Sequence, residues 1–195
     1  METPRLATGK KNAARLGAHL VFVDESGFLI SPTVHRTWAP RGETPILRHW
    51  YRHDRISVIS GVSISAVRRR YGLYFHCHAE NIRARAAVRF LQHLLRHLPG
   101  PVIVLWDNSK THHGPLIRAL LARHQRLRLE YFPAYAPELN PDEGIWAQAK
   151  AALANSRPDT TLELLRAIIA TMSRLRRSPR HLRACITHAL PMHLP

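Results

Sequence analysis

Acidic residues and lysine are both scarce in this sequence of 195 residues. Only 13 residues are Asp or Glu, against 29 that are Lys or Arg, and the formal net charge is +16. Such a surface attracts phosphate backbones and other anionic surfaces without specifying which. Lysine occurs only at positions 10, 11, 110 and 150, so the charge rests on arginine, whose planar fork suits phosphate oxygens. A GC-rich genome would also favour arginine codons over lysine codons, but a codon bias of that kind does not change the net charge of the protein.

Cysteine and long apolar runs are scarce as well. The two cysteines, Cys77 and Cys185, cannot build a disulfide framework, which favours a reducing compartment. No apolar run approaches the roughly 18 residues of a membrane span, and the N-terminus lacks the apolar core of a secretory signal. We therefore expect a cytoplasmic, nucleoid-associated protein, with one domain long enough to bury a substantial core.

Hydrophobic periodicity along the chain predicts an α/β fold. A polar, basic arm at 1–17 precedes a buried strand at 18–24, and Gly27 suggests a turn after that strand. Further strands are predicted near 28–38, 44–49, 55–64, 71–77, 102–107 and 127–132, and helices at 80–98, 115–125, 141–153, 161–177 and 180–189. Thr160 with Glu163 has the pattern of a capping box. This order of elements favours a mixed sheet covered by helices on both faces.

Three carboxylates stand out against the basic background. Asp24 and Asp107 each end an apolar run, and Glu143 follows the helix-start pattern Asn140-Pro141. Functional residues of such sheets gather at strand carboxyl ends, so neighbouring strands would bring the two aspartates together. Their mutual repulsion would be removed by a divalent cation, and ligands that are all oxygen suit Mg²⁺ or Mn²⁺ better than Zn²⁺. Metals held against a polyanion point to DNA chemistry.

Each carboxylate also has a simpler explanation. The two aspartates could be turn residues at strand ends. Glu143 could serve only the start of its helix, in which Asn140 is the N-cap and Pro141 occupies N1. A capping role of that kind contributes about 1 kcal/mol, and it is compatible with a second role at a metal.

Four motifs in a fixed order resemble the DDE transposases of the Tc/mariner-like insertion-sequence group. They are Asp24-Glu-Ser-Gly27, Thr37-Trp-Ala-Pro-Arg-Gly42, Asp107-Asn108 followed by His112, and Tyr135-Ala-Pro-Glu-Leu-Asn-Pro-Asp-Glu-Gly-Ile-Trp146. The resemblance covers roughly residues 18–153, and the last motif is the most specific. It implies a ribonuclease-H-like fold, two divalent metal ions, and DNA strand cleavage followed by strand transfer of an insertion sequence.

The resemblance assigns the catalytic and metal-binding carboxylates to Asp24, Asp107 and Glu143. One departure matters, because Asp142 replaces the apolar residue expected between Pro141 and the acid. The motif register favours Glu143 as third ligand and leaves Asp142 as its rival. The implied organisation is an N-terminal arm at 1–17, a ribonuclease-H-like catalytic domain at 18–153 and a C-terminal helical extension at 154–195.

Several basic residues are candidates for DNA contact. A basic hairpin tip, one face of the first long helix and the segment after Asp107 supply them, and each also has a solvated-surface explanation. His112 could touch a scissile phosphate or a metal-bound water, while His113 could be an ordinary loop residue. The candidates are Arg68, Arg69, Arg70, Arg85, Arg89, Lys110 and His112.

The Tc/mariner-like group recognises its terminal repeats with helix-turn-helix domains placed before the catalytic domain, and only 23 residues precede Asp24 here. We therefore expect a separate recognition domain or chain, with transposon-end and target DNA as partners and a homodimer as a further option. Two alternatives remain open at this point. One is a ribonuclease-H-like nuclease without transposition, and the other is a non-catalytic DNA-binding remnant of a transposase.

Overall fold

A computed structural model of the chain describes residues 12–13, 15–30, 39–42, 54–65, 67, 70–133, 136–154 and 158–190. The predicted strand at 44–49 and most of the one at 28–38 lie outside these residues. None of the helices within the described ranges combines the length and apolar character needed to cross a membrane.

A five-stranded mixed sheet forms the centre of the molecule. Its strands are β1 (His19–Leu29), β2 (Arg55–Ser65), β3 (Tyr71–His78), β4 (Val102–Trp106) and β5 (Leu127–Tyr131). Their spatial order is β3-β2-β1-β4-β5. The pairs β1–β2 and β2–β3 are antiparallel, whereas β1–β4 and β4–β5 are parallel. The central strand β1 therefore joins an antiparallel half to a parallel half.

Helices cover both faces of this sheet, as the sequence predicts. They are α1 (Ala84–His97), α2 (Pro115–Arg123), α3 (Pro141–Leu153), α4 (Thr161–Arg176) and α5 (Pro179–Ala189), and short 3-10 turns span Lys110–His113 and Pro137–Leu139. Alternation along β1 separates two cores. Val21 and Val23 pack with α1 and α2, while Leu20 and Phe22 pack with α3, α4 and α5. The C-terminal helices thus share one core with the sheet.

Local capping signals explain two of the helix starts. The Asn140 side chain accepts a hydrogen bond from the backbone N–H of Asp142 at 3.2 Å, and Pro141 occupies the first turn of α3. At α4, the backbone N–H of Glu163 donates to Thr160 Oγ1 at 3.2 Å. The Glu163 carboxylate accepts from the backbone N–H of Asp159 at 2.8 Å, one residue before the position that the capping-box pattern predicts.

One prediction near the N-terminus is wrong. Gly27 does not form a turn but lies inside β1, paired with Ser57 of β2. The antiparallel ladder continues to Leu29, because β2 is long enough to satisfy the backbone of β1 throughout. Within the segment taken as a basic arm, residues 12–13 and 15–16 are helical, and Ala13 is fully buried in the core. The described part of that segment therefore packs against the domain.

Candidate active site

Asp24 and Asp107 emerge at one edge of the sheet. The strands β1 and β4 are parallel neighbours, with Phe22 opposite Leu105, and each aspartate lies two residues beyond that pair. Alternation directs the Asp24 side chain to the face covered by α3, since Phe22 belongs to that core. Asp107 follows the last residue of β4, and its carboxylate contacts the His112 ring. The adjacency expected from two apolar runs that each end in aspartate is therefore present.

Glu143 completes the same cavity from α3. A cavity of about 410 Å³ is lined by all three carboxylates, and we call it the acidic cavity. Its other lining residues are Asn108, Ser109, Phe132, Pro133, Ala136, Pro137 and Asn140. Glu143 is exposed, whereas Asp142 is fully buried and does not line the cavity. The geometry thus distinguishes the two adjacent acids.

Three side chains fix the start of α3 against the sheet. Asn140 Nδ2 donates to the backbone oxygen of Val23 at 3.4 Å. Trp146 Nε1 donates to Asp24 Oδ2 at 3.0 Å. Ser60 Oγ donates to Asp142 Oδ1 at 2.8 Å, and Ser60 itself lies opposite Asp24 in the β1–β2 ladder. These contacts orient Asp24 and set the face of α3 that carries Glu143.

The electrostatics of Asp24 reflect a crowded acidic environment. Burial, together with the charges of Glu143 and Asp107, raises the pKa of its carboxyl group to about 6. Hydrogen bonds from the Glu25 backbone and from Trp146 oppose this rise of the Asp24 pKa. Two neighbouring carboxylates that disfavour ionisation of a third provide a site where a cation would relieve repulsion.

Asp142 has a different environment. Burial raises the pKa of its carboxyl group well above the usual range, and the charge of Asp24 adds to the effect. One carboxyl oxygen accepts from Ser60, but Oδ2 has no hydrogen-bond partner among the described residues. A carboxyl group in such a place is most stable when protonated. Asp142 therefore acts as a buried polar anchor of α3.

His112 does not fit its predicted role as a DNA contact. Only 4% of the residue is exposed, and its ring stacks on Trp106 with centroids 3.7 Å apart. Nδ1 forms an ion pair with the Asp107 carboxylate, and Nε2 lies 3.4 Å from Glu25 Oε1. Burial opposes the positive charge, but the hydrogen bonds to Asp107 and Glu25 outweigh it and raise the pKa of His112 to about 9. With both nitrogens occupied, His112 orients carboxylates instead.

The other predicted DNA contacts lie in several places. Arg85 and Arg89 line a second cavity, of about 690 Å³, where β3 ends and α1 begins. Arg70 is exposed beside the start of β3. Lys110 lies in the 3-10 turn that follows Asp107. Arg68 and Arg69 fall outside the described residues.

The donor set suits a hard divalent cation, because it consists of carboxylate oxygens only. Within the described ranges, however, no group of three or more His, Cys, Asp or Glu side chains is arranged closely enough to hold a metal ion. Asp107 is directed toward His112, so it would have to turn toward Asp24 to share a metal with it. The carboxylate ligands are therefore of the type that a divalent metal prefers, but their side chains do not converge on one point where a metal ion would bind.

Glu25 and Trp146 were not singled out as partners of the site by the sequence. Glu25 directly follows Asp24 but alternates to the opposite face, where it meets His112. Trp146 lies one turn after Glu143, and its indole N–H donates a hydrogen bond to Asp24. The sequence signal for Glu25 was its position next to Asp24 on a predicted strand, which indicates that the two side chains face opposite ways. That signal does not identify His112 as the partner of Glu25.

A comparison with models of protein families shows the family of the chain. A family model described as a DDE superfamily endonuclease matches residues 19–166. No curated protein sequence matches the chain significantly.

Solved structures with similar folds include several of Mos1 transposase. A Mos1 paired-end complex with the left transposon end matches at 19% identity and a TM-score of 0.56, over 97% of this chain and 63% of the Mos1 chain. The catalytic domain of Mos1 mariner transposase matches at 16% identity and a TM-score of 0.51, over 97% and 95% of the two chains. A simian T-cell lymphotropic virus intasome matches at 15% identity and 0.51, over 85% and 56%.

These likenesses confirm the ribonuclease-H-like fold. The chain spans less than two thirds of the length of the Mos1 chains in the DNA complexes.

Proposed function

The chain belongs to the DDE superfamily of endonucleases, and from this premise we propose that it is the catalytic domain of a transposase. In this proposal it cleaves DNA strands and transfers the freed ends of an insertion sequence to a target. The observation that carries the proposal is the acidic cavity, which is lined by carboxylates from β1, the residue after β4 and the start of α3. Residues 18–153 form the proposed catalytic domain, 154–195 its helical extension and 1–17 an N-terminal arm.

Asp24, Asp107 and Glu143 are the proposed catalytic and metal-binding residues. Similar Mos1 structures are described with Mn and with Mg, which supports the use of Mg²⁺ or Mn²⁺ here, with two ions as the finer proposal. Divalent ions supply two kinds of help when bound: they lower the pKa of an attacking water and stabilise the leaving 3′ oxygen.

The chain's own residues orient the reacting groups. Trp146 holds one oxygen of Asp24 by its indole N–H. Asn140 ties the start of α3 to Val23, the residue before Asp24 in β1, which keeps the first turn of α3 and Glu143 beside Asp24. The two ring nitrogens of His112 contact the carboxylates of Asp107 and Glu25 and orient them. Rigid placement of this kind reduces the cost of bringing phosphate and nucleophile together.

DNA is the proposed partner. Transposon-end DNA is named in the similar Mos1 complexes, and the net charge of +16 supports attraction to phosphates. Arg70, Arg85 and Arg89 are the proposed backbone contacts in the described part of the chain, with Arg68, Arg69 and Lys110 as further candidates. We also propose end recognition by a helix-turn-helix module, assembly as a dimer, and action on cytoplasmic, nucleoid DNA.

Substitution of Asp24 and Asp107 tests this function. Asp24→Asn and Asp107→Asn should each abolish Mg²⁺-dependent nicking of supercoiled plasmid, because the amide lacks the charge that ligates a metal. DNA binding in a chelator should remain near normal, since the arginines are untouched. Asp54→Asn is the matched control, because Asp54 is exposed and lies outside the acidic cavity. Near-normal nicking by either active-site variant would refute the assignment.

Product analysis separates transposase from its alternatives. A transposase joins a labelled oligonucleotide bearing a free 3′-hydroxyl to a target plasmid. A ribonuclease-H-like nuclease cuts DNA or a hybrid but yields no joined product. A non-catalytic protein binds DNA equally well with and without a chelator and never nicks it.

A further inference from the structure

Two adjacent acids of β1 lie on opposite faces of the sheet. Asp24 lines the acidic cavity, whereas Glu25 does not and alternates to the other face. There Glu25 Oε1 lies 3.4 Å from His112 Nε2. The second ring nitrogen of His112, Nδ1, lies 2.5 Å from Asp107 Oδ1. One imidazole therefore joins Glu25 to Asp107, and Asp107 lines the same cavity as Asp24.

His112 is also held by contacts that involve neither carboxylate. Its ring stacks on the buried Trp106 with centroids 3.7 Å apart. Its backbone oxygen accepts a hydrogen bond from the Tyr131 hydroxyl at 3.3 Å, and its backbone N–H donates to the oxygen of Ser109 at 3.0 Å. A buried ring packed in this way keeps one rotamer. His112 is therefore a fixed support, and the groups bonded to its nitrogens take their positions from it.

Asp107 depends on this support for its orientation. It directly follows the last residue of β4, and its side chain is 57% exposed, so packing alone does not fix the carboxylate. Asp107 would have to turn to share a metal with Asp24, and a carboxylate tethered at one oxygen has few orientations to search. Metal binding then costs less rotational freedom than it would with an untethered side chain.

We propose that Glu25 is a positioning residue of the metal site, because it holds the His112 ring that in turn holds Asp107 for a divalent ion. This inference rests on the proposed function, since it takes Asp107 to be a metal ligand. Loss of a hydrogen-bond partner that orients a metal ligand commonly lowers metal affinity by about 10- to 100-fold. Strand β1 thus positions both aspartates, Asp24 directly and Asp107 through Glu25 and His112.

Metal affinity measured in the absence of DNA tests this role. Calorimetry gives the Mn²⁺ affinity of the full chain, of Glu25→Gln and of the control Glu80→Gln. Glu25→Gln should bind Mn²⁺ about tenfold more weakly, because the amide loses the charge that holds His112. Glu80 is exposed and lies outside the acidic cavity. Its substitution removes the same charge and should change the affinity by less than about twofold, since exposed charges interact weakly.

A double-mutant cycle separates action through His112 from a direct effect of charge. His112→Gln should also weaken Mn²⁺ binding by about tenfold, although it removes a positive charge that repels the metal and would tighten binding if charge alone mattered. Adding Glu25→Gln to His112→Gln should cause no further loss, because the connection to Asp107 is already broken. Melting curves verify that each variant is folded.

The NMR signals of the His112 ring give a readout that does not require His112→Gln to fold. Glu25→Gln should shift these signals, and Glu80→Gln should leave them unchanged. Mg²⁺ should shift the same signals in the unaltered protein, because the ion binds the carboxylate that His112 holds. In nicking assays, Glu25→Gln should need about tenfold more Mn²⁺ for its half-maximal rate and approach the unaltered rate at saturating Mn²⁺.

Four results would overturn the inference. Glu25→Gln could bind Mn²⁺ as the control does, or His112→Gln could bind it more tightly than the unaltered chain, which would mean that His112 opposes the metal. Additive losses in the double variant would mean that Glu25 acts by its charge alone. His112 signals that neither Glu25→Gln nor Mg²⁺ shifts would break the proposed connection. The proposed function fails differently, if the unaltered chain binds Mn²⁺ but never nicks or joins DNA, and a chain that binds no Mn²⁺ would overturn this inference together with the proposed metal site.

Discussion

Asp142 and Glu143 are adjacent acids with opposite surroundings. Successive residues of a helix point about 100° apart, so the turn that exposes Glu143 to the acidic cavity directs Asp142 into the core. Asp142 is 0% exposed and bonded to Ser60, whereas Glu143 is exposed. The residue that departs from the family pattern thus has a structural role that a polar side chain can fill.

Conservative amides separate the roles of these two residues. Glu143→Gln should leave the protein folded and greatly reduce Mg²⁺-dependent nicking, because it keeps the side-chain length and removes the charge. Asp142→Asn should retain nicking, because Asp142 does not line the acidic cavity. Nicking rates of the two variants, each at the same protein concentration, provide the measurement. The reverse pattern would transfer the third metal ligand to Asp142.

The stability of the protein should also report on Asp142. Its pKa is raised in the folded state above the ordinary value of 3.8, so the folded state binds this proton more tightly than the unfolded state. The stabilisation is complete below pH 3.8 and is lost as the pH rises toward the folded pKa, at a slope of up to about 1.4 kcal/mol per pH unit.

Asp142→Asn should remove this pH dependence. As the pH is raised from weakly acidic to neutral, the unfolding free energy of the unaltered protein, measured in urea, should fall relative to that of the variant. Asp24 contributes a loss of the same sign in both proteins. Stability curves that run parallel across this range would contradict a raised pKa for Asp142.

At the scale of elements, α3 is the part that assembles the site. Its first two turns reach β1 and β2 through Asn140, Asp142 and Trp146. On its other side α5 packs without a gap, since a Cβ added at Gly144 would lie only 3.0 Å from Cys185 Sγ. The helix is therefore held between the sheet and α5, and Glu143 has a fixed place relative to Asp24.

Elements with local signals were predictable from the sequence. The bounds of α3 agree with the prediction of 141–153, because Asn140 and Pro141 mark its start by capping and fixed φ. The apolar runs before Asp24 and Asp107 likewise predicted two buried strands, although β1 continues beyond Asp24 to Leu29. The sequence left open whether these two strands are neighbours, and the structure pairs β1 with β4 in parallel.

Features that depend on contacts across the fold were not predictable. Gly27 carries a turn signal, but the length of β2 keeps it in the ladder. His112 looked available to a ligand, yet Glu25, which is remote in sequence, occupies one of its nitrogens. Asp142 stood in the sequence as the rival of Glu143 for the third metal ligand, and it is fully buried. In each case a tertiary partner overrides the local pattern.

The whole molecule combines a small acidic centre with a strongly positive remainder. The three carboxylates of the acidic cavity belong to a chain with 13 acidic and 29 basic residues. Long-range attraction therefore brings a polyanion to the surface, while the local negative charge at the cavity disfavours a phosphate until a cation is bound. Binding of DNA and cleavage of DNA should accordingly depend on different residues.

This charge distribution predicts the sequence preference and the salt dependence with which the isolated chain binds DNA. Arginine contacts to phosphates position a duplex without reading its bases, so the chain should bind duplexes of unrelated sequence with similar affinity. Its affinity should fall steeply with salt, by about 0.9 units of log affinity per unit of log salt for each phosphate neutralised. Titration of two duplexes of equal length and shuffled sequence, over a range of salt concentrations, measures both properties. Protection of one particular sequence at physiological salt would show that part of this chain reads bases, and the proposed helix-turn-helix module would then not be needed for recognition.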